Sequence, residues 1–184
     1  MYQSLPDHKV PANFNGKNKL KVQLWYLTWL FLYRFSPHAL NFFRVFLLRV
    51  FGAKISYSVK IRPSSFISYP WNLKVGEDSF IGDGVYIDSL CNITIGHDVS
   101  ISNFVYITSG THDYESVNFD LILRPVIIGD EVWLAVRSTI LPGIIVGHGA
   151  VVGAGSVLTK SIEDNQIWTG VPARFFKNRI NLEV

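Results

Sequence analysis

The chain has 184 residues and a mass of 20.8 kDa, which fits one domain or one domain with an appendage. Hydrophobic residues make up 48% of it and charged residues 17%, which excludes a disordered chain, and its single cysteine excludes a disulfide framework or a zinc site built from several cysteines. The net charge of +3 divides unevenly, because residues 1–62 sum to +9 (ten Lys and Arg, one acid) and residues 63–184 sum to −6 (seven against thirteen).

The N-terminal segment, residues 1–54, is predicted to hold two apolar helices. Its opening letters, MYQSLPDHKVP, lack the basic and apolar run of a secretory signal, so a reducing, cytoplasmic location is the default expectation. Residues 24–33 are nearly all apolar but too few to span a bilayer, which needs about 20. Ser36 and Pro37 resemble a helix N-cap and first position, and Gly52 is typical of a helix end.

The basic charge of this segment predicts an anionic partner. Trp, Tyr and Phe interspersed with Arg44 and Arg49 are typical of a helix in a membrane interface, with the cations on lipid phosphates. Residues 20–52 are therefore predicted to contact the membrane peripherally at its inner face. The alternative is that the helices pack against the main domain or a neighbouring subunit. Nucleic acid is not expected as a partner, because the cations lie among bulky aliphatic residues.

From residue 55 onward the sequence repeats with a period of six, which neither a helix nor an ordinary strand produces. The residue that follows the repeated aliphatic is often small, as at Gly76 and Gly96. The repeated aliphatics form four runs: Ile55, Ile61 and Ile67; Val75, Ile81, Ile87 and Ile93; Ile95, Ile101 and Ile107; and Ile128, Leu134, Ile140, Val146, Val152 and Leu158.

Six residues fit a short strand and a tight turn, where glycine tolerates dihedral angles that a Cβ would forbid. Three such units close a triangle, so eighteen residues should make one coil, and stacked coils hydrogen-bond about 4.8 Å apart. The predicted fold is mainly β: a β-helix solenoid over residues 55–163, with two N-terminal α-helices and a C-terminal extension, 164–184. Loops should leave the prism at the slip between Ile93 and Ile95 and at the break, 108–127.

This pattern resembles the hexapeptide-repeat acyltransferases, whose coils form a left-handed parallel β-helix. The stretches that carry the resemblance read IGDEVWL (128–134), ILPG (140–143), VGAGSVLTK (152–160) and GVPAR (170–174), an order similar to the galactoside, maltose and nodulation-factor O-acetyltransferases. A narrower resemblance is to the colanic acid and exopolysaccharide acetyltransferases. It is carried by the two apolar helices together with the motifs YPWNL (69–73) and THDY (111–114). The resemblance implies a homotrimer that binds acetyl-coenzyme A in grooves between neighbouring prisms.

O-acetylation of a sugar needs a base that takes the proton of the attacking hydroxyl, and the imidazole pKa suits that task. His112 lies in the break and falls on the family's catalytic histidine, so we expect it to be the general base. His97 and His148 each follow a turn glycine and are expected to be plain turn residues. His8 lies in a polar tail and His38 opens a helix.

Three carboxylates are candidates for binding the acceptor or orienting the imidazole: Asp83, Asp88 and Asp113. Eighteen-residue coils could stack Asp88 near the segment that precedes His112. The alternative for each carboxylate is a solvated turn acid.

The resemblance also implies the contacts of coenzyme A. Trp133, Ala135 and Ala154 would border the pantetheine channel. At Ala154 only a small side chain lets the backbone approach the pantetheine amides closely. Thr159, Lys160 and Arg174 would approach the nucleotide end, although both cations could be ordinary surface residues. The sequence departs from the family, which usually has Gly or Ala in place of Val136 and Arg137 and Asp in place of Ser161.

Rival interpretations remain open from the sequence. Cys91 could carry the acyl group, but no neighbouring base or sign of a lowered pKa accompanies it, so direct transfer is favoured. A γ-type carbonic anhydrase needs three histidines converging on a metal, and the chain has no closely spaced pair, so no metal is expected. A non-catalytic β-helix scaffold would need neither His112 nor the set from Trp133 to Arg174.

The favoured acceptor is a surface polysaccharide sugar or its lipid-linked precursor.

Overall fold

The computed structural model describes residues 8–12, 14, 16 and 18–180 and shows a three-sided parallel β-helix preceded by two α-helices. The fold predicted from the six-residue period is therefore confirmed. Residues 1–7 and 181–184 of the two predicted terminal segments lie outside the described residues.

The helical elements are α1 (Lys19–Thr28), which runs into a π-helical turn (Trp29–Tyr33), then α2 (Asn41–Val50), and a 3₁₀ turn (Pro70–Asn72) between two strands. The strands are β1 (Lys54–Ile55), β2 (Lys60–Ile61), β3 (Phe66–Ile67), β4 (Leu73–Val75), β5 (Phe80–Ile81), β6 (Tyr86–Asp88), β7 (Ile93–Ile95), β8 (Ser100–Ile101), β9 (Tyr106–Thr108), β10 (Gly110–His112), β11 (Leu121–Leu123), β12 (Val126–Ile128), β13 (Trp133–Leu134), β14 (Thr139–Ile140), β15 (Ile145–Val146), β16 (Val151–Val152), β17 (Val157–Leu158), β18 (Gln166–Gly170) and β19 (Ala173–Asn178).

Three sheets form the sides of the prism. The first sheet has the order β1-β4-β7-β12-β15, and the third has β3-β6-β9-β14-β17, written in chain direction. The second contains β2, β5, β8, β13 and β16, continues into β18, and is closed by the antiparallel strand β19. The predicted C-terminal extension, 164–184, therefore contributes two strands, β18 and β19, to the second sheet.

The predicted coil length of eighteen residues is wrong for the first coils. Ile55 pairs with Val75 and Val75 with Ile95, a spacing of twenty residues. The corners after the third sheet hold the two extra residues of each coil. Ile93 and Ile95 lie in one strand, so the loop predicted between them is wrong. The eighteen-residue spacing is seen from Ile128 to Val146.

The repeated aliphatic residues point inward and fill the prism. All sixteen of them are buried, at no more than 3% relative exposure. Neighbouring corners stack so closely that a Cβ on Gly76 would lie 2.6 Å from the carbonyl carbon of Gly96. Close stacking therefore explains the small residue of the repeat. The left-handed backbone conformation belongs to the residue two positions later, such as Asp78 or Asp98, so the predicted dihedral reason for glycine is wrong at this position.

The two predicted helices are confirmed, but the start of the second is not where it was predicted. Helix α2 begins at Asn41, and Ser36 does not cap it. The Ser36 hydroxyl instead donates to the carbonyl of Tyr33 and accepts from Arg44. Gly52 ends the helix with φ +99°, where its N–H donates to the carbonyl of Arg49.

The helices cap the open end of the prism. Strand N–H groups donate toward the following coil, as Lys60 does to Ser79, so the carbonyls of the first coil face the open end. Side chains from the helices donate to those carbonyls and satisfy an otherwise exposed edge. The bonds run from Trp25 to Ile67 (2.6 Å), Trp29 to Ser65 (2.9 Å), Asn41 to Val59 (2.8 Å) and Arg44 to Ile61 (2.9 Å).

Arg44 is not the lipid-facing cation that the sequence predicted. Its side chain is only 1% exposed and donates to the carbonyls of Ile61, Pro37 and His38 and to the Ser36 hydroxyl. Burial lowers the pKa of its guanidinium. Arg44 is therefore part of the cap, because arginine supplies several donors in a fixed fork.

Candidate active site

His112 lies on an arm that leaves the prism after the third sheet. The predicted loop at the break, 108–127, contains an antiparallel hairpin in which β10 pairs with β11 and His112 lies opposite Leu121. The arm starts immediately after β9, so the imidazole is carried out from the corner between the third and first sheets.

Phe119 fixes both the orientation and the tautomer of His112. Its carbonyl oxygen lies 2.9 Å from His112 Nδ1, and a carbonyl can only accept, so Nδ1 carries the proton of the neutral ring. The two rings stack with centroids 4.4 Å apart and planes 4° apart. Phe119 holds a left-handed conformation at φ +52°, a strained arrangement of the kind that functional sites retain. The arrangement leaves the lone pair on Nε2 able to accept a proton.

The N-terminal tail reaches this arm, which the sequence did not predict. The Lys9 N–H donates to the Asp120 carboxylate at 2.8 Å, and the Leu121 N–H donates to the Lys9 carbonyl at 3.1 Å. These bonds place the ring of His8 6.1 Å from that of His112. No local signal in the sequence links residue 8 to residue 112, so only the fold reveals this neighbour.

Asp88 lies at the base of the arm. It is in register with Thr108, and its carboxylate accepts from the hydroxyls of Thr108 (3.2 Å) and Ser68 (2.9 Å). These three residues form a polar row across successive coils at the corner where the His112 arm begins. Asp88 therefore stacks on Thr108 through a coil of twenty residues and not the predicted eighteen, and its role in binding the acceptor stays a prediction.

The other two candidate carboxylates have different surroundings. Asp83 lies at the opposite edge of the third sheet, where it accepts from Ser64 (2.7 Å) and lies 3.7 Å from Arg62. Asp113 follows His112 directly, but its carboxylate accepts from the N–H groups of Glu115 and Ser116 and shapes the turn of the arm.

Cys91 is a poor nucleophile in this fold. Its sulfur lies 3.4 Å from the carbonyl oxygen of Ser109, and burial raises the pKa of the thiol. A raised pKa keeps the sulfur protonated, whereas an acyl-carrying cysteine needs a thiolate.

The remaining histidines lie elsewhere. His97 and His148 occupy the corner between the first and second sheets, next to acidic neighbours such as Asp98 and Glu131. A hydrogen bond from the imidazole to the Asp98 carboxylate raises the pKa of His97. Across residues 8–12, 14, 16 and 18–180, no three His, Cys, Asp or Glu side chains are grouped as metal ligands.

One chain does not bring the predicted coenzyme A residues together. Trp133 lies on the outer face of the second sheet, and Ala135 and Ala154 lie in adjacent corners that lead to the third sheet. Arg174 lies on β19, at the end of the same sheet, where it is in register with Thr169 of β18. The other two members, Thr159 and Lys160, follow β17 at the corner from which the His112 arm also leaves, two coils farther along.

The departures from the family have visible structural settings. Val136 is 43% exposed, so its bulk lies outside the core. Arg137 has φ +58°, which explains why glycine suits this position. The Ser161 hydroxyl accepts from the N–H of Ile145, a bond that an aspartate could also accept.

Comparison with known proteins identifies the same repeats. A family model described as the hexapeptide repeat of succinyl-transferase matches residues 72–109 and 125–160. The colanic acid biosynthesis acetyltransferase WcaF of Escherichia coli K12 is 41% identical over 181 residues, which cover 98% of this chain and all of the relative.

Solved structures share the fold. A maltose O-acetyltransferase from Clostridium difficile 630 superposes with a TM-score of 0.82 at 26% identity, covering 91% of this chain and 90% of the other. An acetyltransferase from Vibrio cholerae O1 biovar eltor, solved with acetyl-coenzyme A, superposes with a TM-score of 0.76 at 20% identity over 91% of each chain.

Proposed function

Because this chain belongs to the hexapeptide-repeat acetyltransferases and carries a histidine with a free proton-accepting nitrogen on an arm beside the prism, we propose that it transfers the acetyl group of acetyl-coenzyme A to a sugar hydroxyl. The acceptor class is a surface polysaccharide or its lipid-linked precursor, as the name of the E. coli relative suggests. The orientation of His112 is the observation that carries this proposal.

In the proposed reaction, Nε2 of His112 takes the proton of the acceptor hydroxyl while the oxygen attacks the thioester carbonyl carbon. The tetrahedral intermediate then collapses, the carbon–sulfur bond breaks, and coenzyme A leaves as a thiol with the proton returned by Nε2. The stack on Phe119 and its carbonyl hold the ring through both proton transfers. The protonated Cys91 thiol supports direct transfer without an acyl-enzyme.

An acetyl-transfer assay against a panel of sugars and lipid-linked oligosaccharides, with products located by NMR, tests the activity and names the hydroxyl. Acetyl-coenzyme A should also raise the melting temperature, because a ligand that binds only the folded state stabilises it. A non-catalytic scaffold would show neither effect.

The complete site requires a second chain in this proposal. The third sheet separates the His112 arm from Ala135 and Ala154. We propose a homotrimer in which the arm of one chain faces the coenzyme A channel of its neighbour. Trp133 and the two alanines would border the pantetheine, while Lys160 and Arg174 with Thr159 would approach the nucleotide phosphates.

Mixed trimers test this sharing. His112→Ala and Ala154→Trp chains are each expected to be inactive alone, the first for lack of a base and the second because the indole fills the channel. Unfolding and refolding the two variants together should restore part of the activity, since some interfaces then combine an intact arm with an intact channel. Light scattering should give three times 20.8 kDa for each species. Mixtures that stay inactive while forming trimers would place the whole site within one chain.

We further propose that the helices hold the protein at an anionic membrane surface. None of the described helices is long and apolar enough to cross a membrane. Apart from the buried Arg44, residues 8–76 contain ten Lys and Arg and no acid, a charge that complements anionic lipid. One apolar stripe is exposed along α1 and the turns that follow it, and a second along α2. We call these two stripes the outer apolar face: Leu20, Leu24, Leu27, Phe31 and Phe35, followed by Phe42, Phe46 and Val50, each at least 45% exposed.

Vesicle binding tests the outer apolar face. Deleting the helices would expose the first-coil carbonyls, so point variants are the better test. The triple variant Leu24→Ser, Phe31→Ser, Phe35→Ser should lose binding to phosphatidylglycerol-rich vesicles by more than about tenfold, because each buried apolar side chain contributes about 1.5–3 kcal/mol. Phe176→Ser, at an equally exposed residue of β19, is the matched control. Equal binding by the triple variant and this control would contradict the proposal.

A further inference from the structure

Aromatic rings line the outer face of the third sheet at the same position on three successive coils. Phe66, Tyr86 and Tyr106 are in register, with ring centroids 5.1 Å and 5.4 Å apart. Tyr86 and Tyr106 are 40% and 37% exposed, so their rings are open to a ligand. The row spans two coil spacings, roughly 10 Å. It runs from the base of the His112 arm toward α1.

Two residues of the N-terminal helices extend this row into a cleft. The ring of Trp29 packs edge-on against Phe66 at 4.7 Å, and Tyr26 lies 6.4 Å from Phe66. The cleft between them and the third sheet has a volume of about 450 Å³, within the range of small-molecule sites. Tyr26 and Tyr86 also line a second hollow of about 210 Å³, which extends to Asp88.

Polar groups surround the aromatic walls. Arg34, whose guanidinium lies 5.4 Å from the Trp29 ring centre, and Ser64 line the larger hollow, and Asp83 accepts a bond from Ser64. Ser68 and Asp88 line the smaller one. Rings flanked by carboxylates, hydroxyls and a guanidinium suit a sugar, whose C–H faces pack on aromatics while its hydroxyls bond at the rim. The carboxylates disfavour a phosphate, and the charged rim disfavours an acyl chain.

We propose that this aromatic cleft binds the sugar residues that adjoin the acetylated one, so that the acceptor is an oligosaccharide and not a monosaccharide. The inference rests on the proposed acetyltransferase function. The sugar to be acetylated lies over Tyr106 and Asp88, where the His112 arm begins, and the next residues run over Tyr86 and Phe66. Each coil advances by about the length of one sugar in an extended glycan.

The tyrosines can serve as donors in this cleft. Burial, together with the nearby Asp88 carboxylate, raises the pKa of Tyr106 and of Tyr69. Both hydroxyls therefore stay protonated at neutral pH and can donate to sugar oxygens.

Acceptor length is the variable that tests the cleft. Glucose, galactose and fucose are compared with tetrasaccharides of each. Release of coenzyme A measures them as acetyl acceptors. The fluorescence of the tryptophan in the cleft wall measures their binding. For at least one sugar, kcat/KM should be about tenfold higher for the tetrasaccharide than for the monosaccharide. In Tyr26→Ala and in Phe66→Leu this ratio should fall toward one.

Gln23→Ala is the matched control, because Gln23 is an exposed residue of the same helix outside the cleft. It should keep the wild-type ratio. Transfer that is independent of acceptor length, or a ratio unchanged in both cleft variants, overturns the cleft while leaving the acetyltransferase function in place. If no sugar accepts an acetyl group, the proposed function is contradicted. The binding measurement then tests the cleft independently: if no tetrasaccharide changes the tryptophan fluorescence, the cleft proposal is contradicted as well.

Discussion

Replacing His112 by alanine is expected to lower kcat by about 10²- to 10⁴-fold, the usual contribution of a positioned general base. The hydroxyl would then have to attack without a partner for its proton, while the acetyl donor would still bind. The measurement is release of coenzyme A in the presence of the acceptor. The KM for acetyl-coenzyme A should change little, because the imidazole is proposed to act on the acceptor hydroxyl.

His148→Ala is the control, since that imidazole is half-exposed at another corner of the prism. The control should keep wild-type turnover. Melting temperature and trimer mass should match the wild type in both variants, because His112 is not part of the buried core. Turnover within a fewfold of wild type in His112→Ala would contradict the assignment.

The prism could be predicted because a period of six has few structural solutions. An aliphatic residue every six positions can lie on one side of the chain only if the chain bends regularly, and three short strands per coil achieve this. The small residue that follows marks the corners, although the physical reason is the 2.6 Å approach between neighbouring corners at Gly76. The six-residue period is therefore enough to predict which residues fill the interior of the prism.

The ends and the appendages could not be predicted in the same way. The bonds of Arg44 with the carbonyls of Ile61 and Pro37 join elements that share no local pattern. His8 meets His112 only because Lys9 bonds to Asp120 and Leu121. These contacts depend on three-dimensional proximity, which a repeat does not encode outside its own register.

The candidate site can be predicted only in part, because the sequence shows where the repeat breaks but not the contacts that the inserted residues make. The break in the repeat and the resemblance of its motif together predict His112 as the catalytic base. The hairpin that carries it, and the tautomer set by Phe119, were visible only in the structure. The aromatic row on the third sheet cannot be predicted from an eighteen-residue coil, because Phe66, Tyr86 and Tyr106 are spaced by twenty residues.

Replacing Arg44 by alanine is expected to destabilise the protein by about 3–5 kcal/mol. The substitution leaves the buried carbonyl of Ile61 without its donor and releases the Ser36 turn, and each unsatisfied buried group costs about 1–3 kcal/mol. Arg44→Lys should recover little of this loss, because an ammonium group cannot reproduce the fork that reaches Ile61, Pro37 and His38 together. Urea unfolding followed by tryptophan fluorescence measures the change, since Trp25 and Trp29 lie in the cap.

Lys60→Ala is the matched control for charge, as Lys60 is an exposed cation of the adjacent strand and should change stability by no more than about 0.5 kcal/mol. Hydrogen exchange separates two modes of failure in Arg44→Ala. If only the cap detaches, the amides of α1 and α2 should lose protection while those of the central coils keep it. Because α1 also forms one wall of the aromatic cleft, a detached cap should reduce oligosaccharide binding before the prism unfolds. An Arg44→Ala protein as stable as the Lys60 variant would show that the prism does not depend on its helical cap.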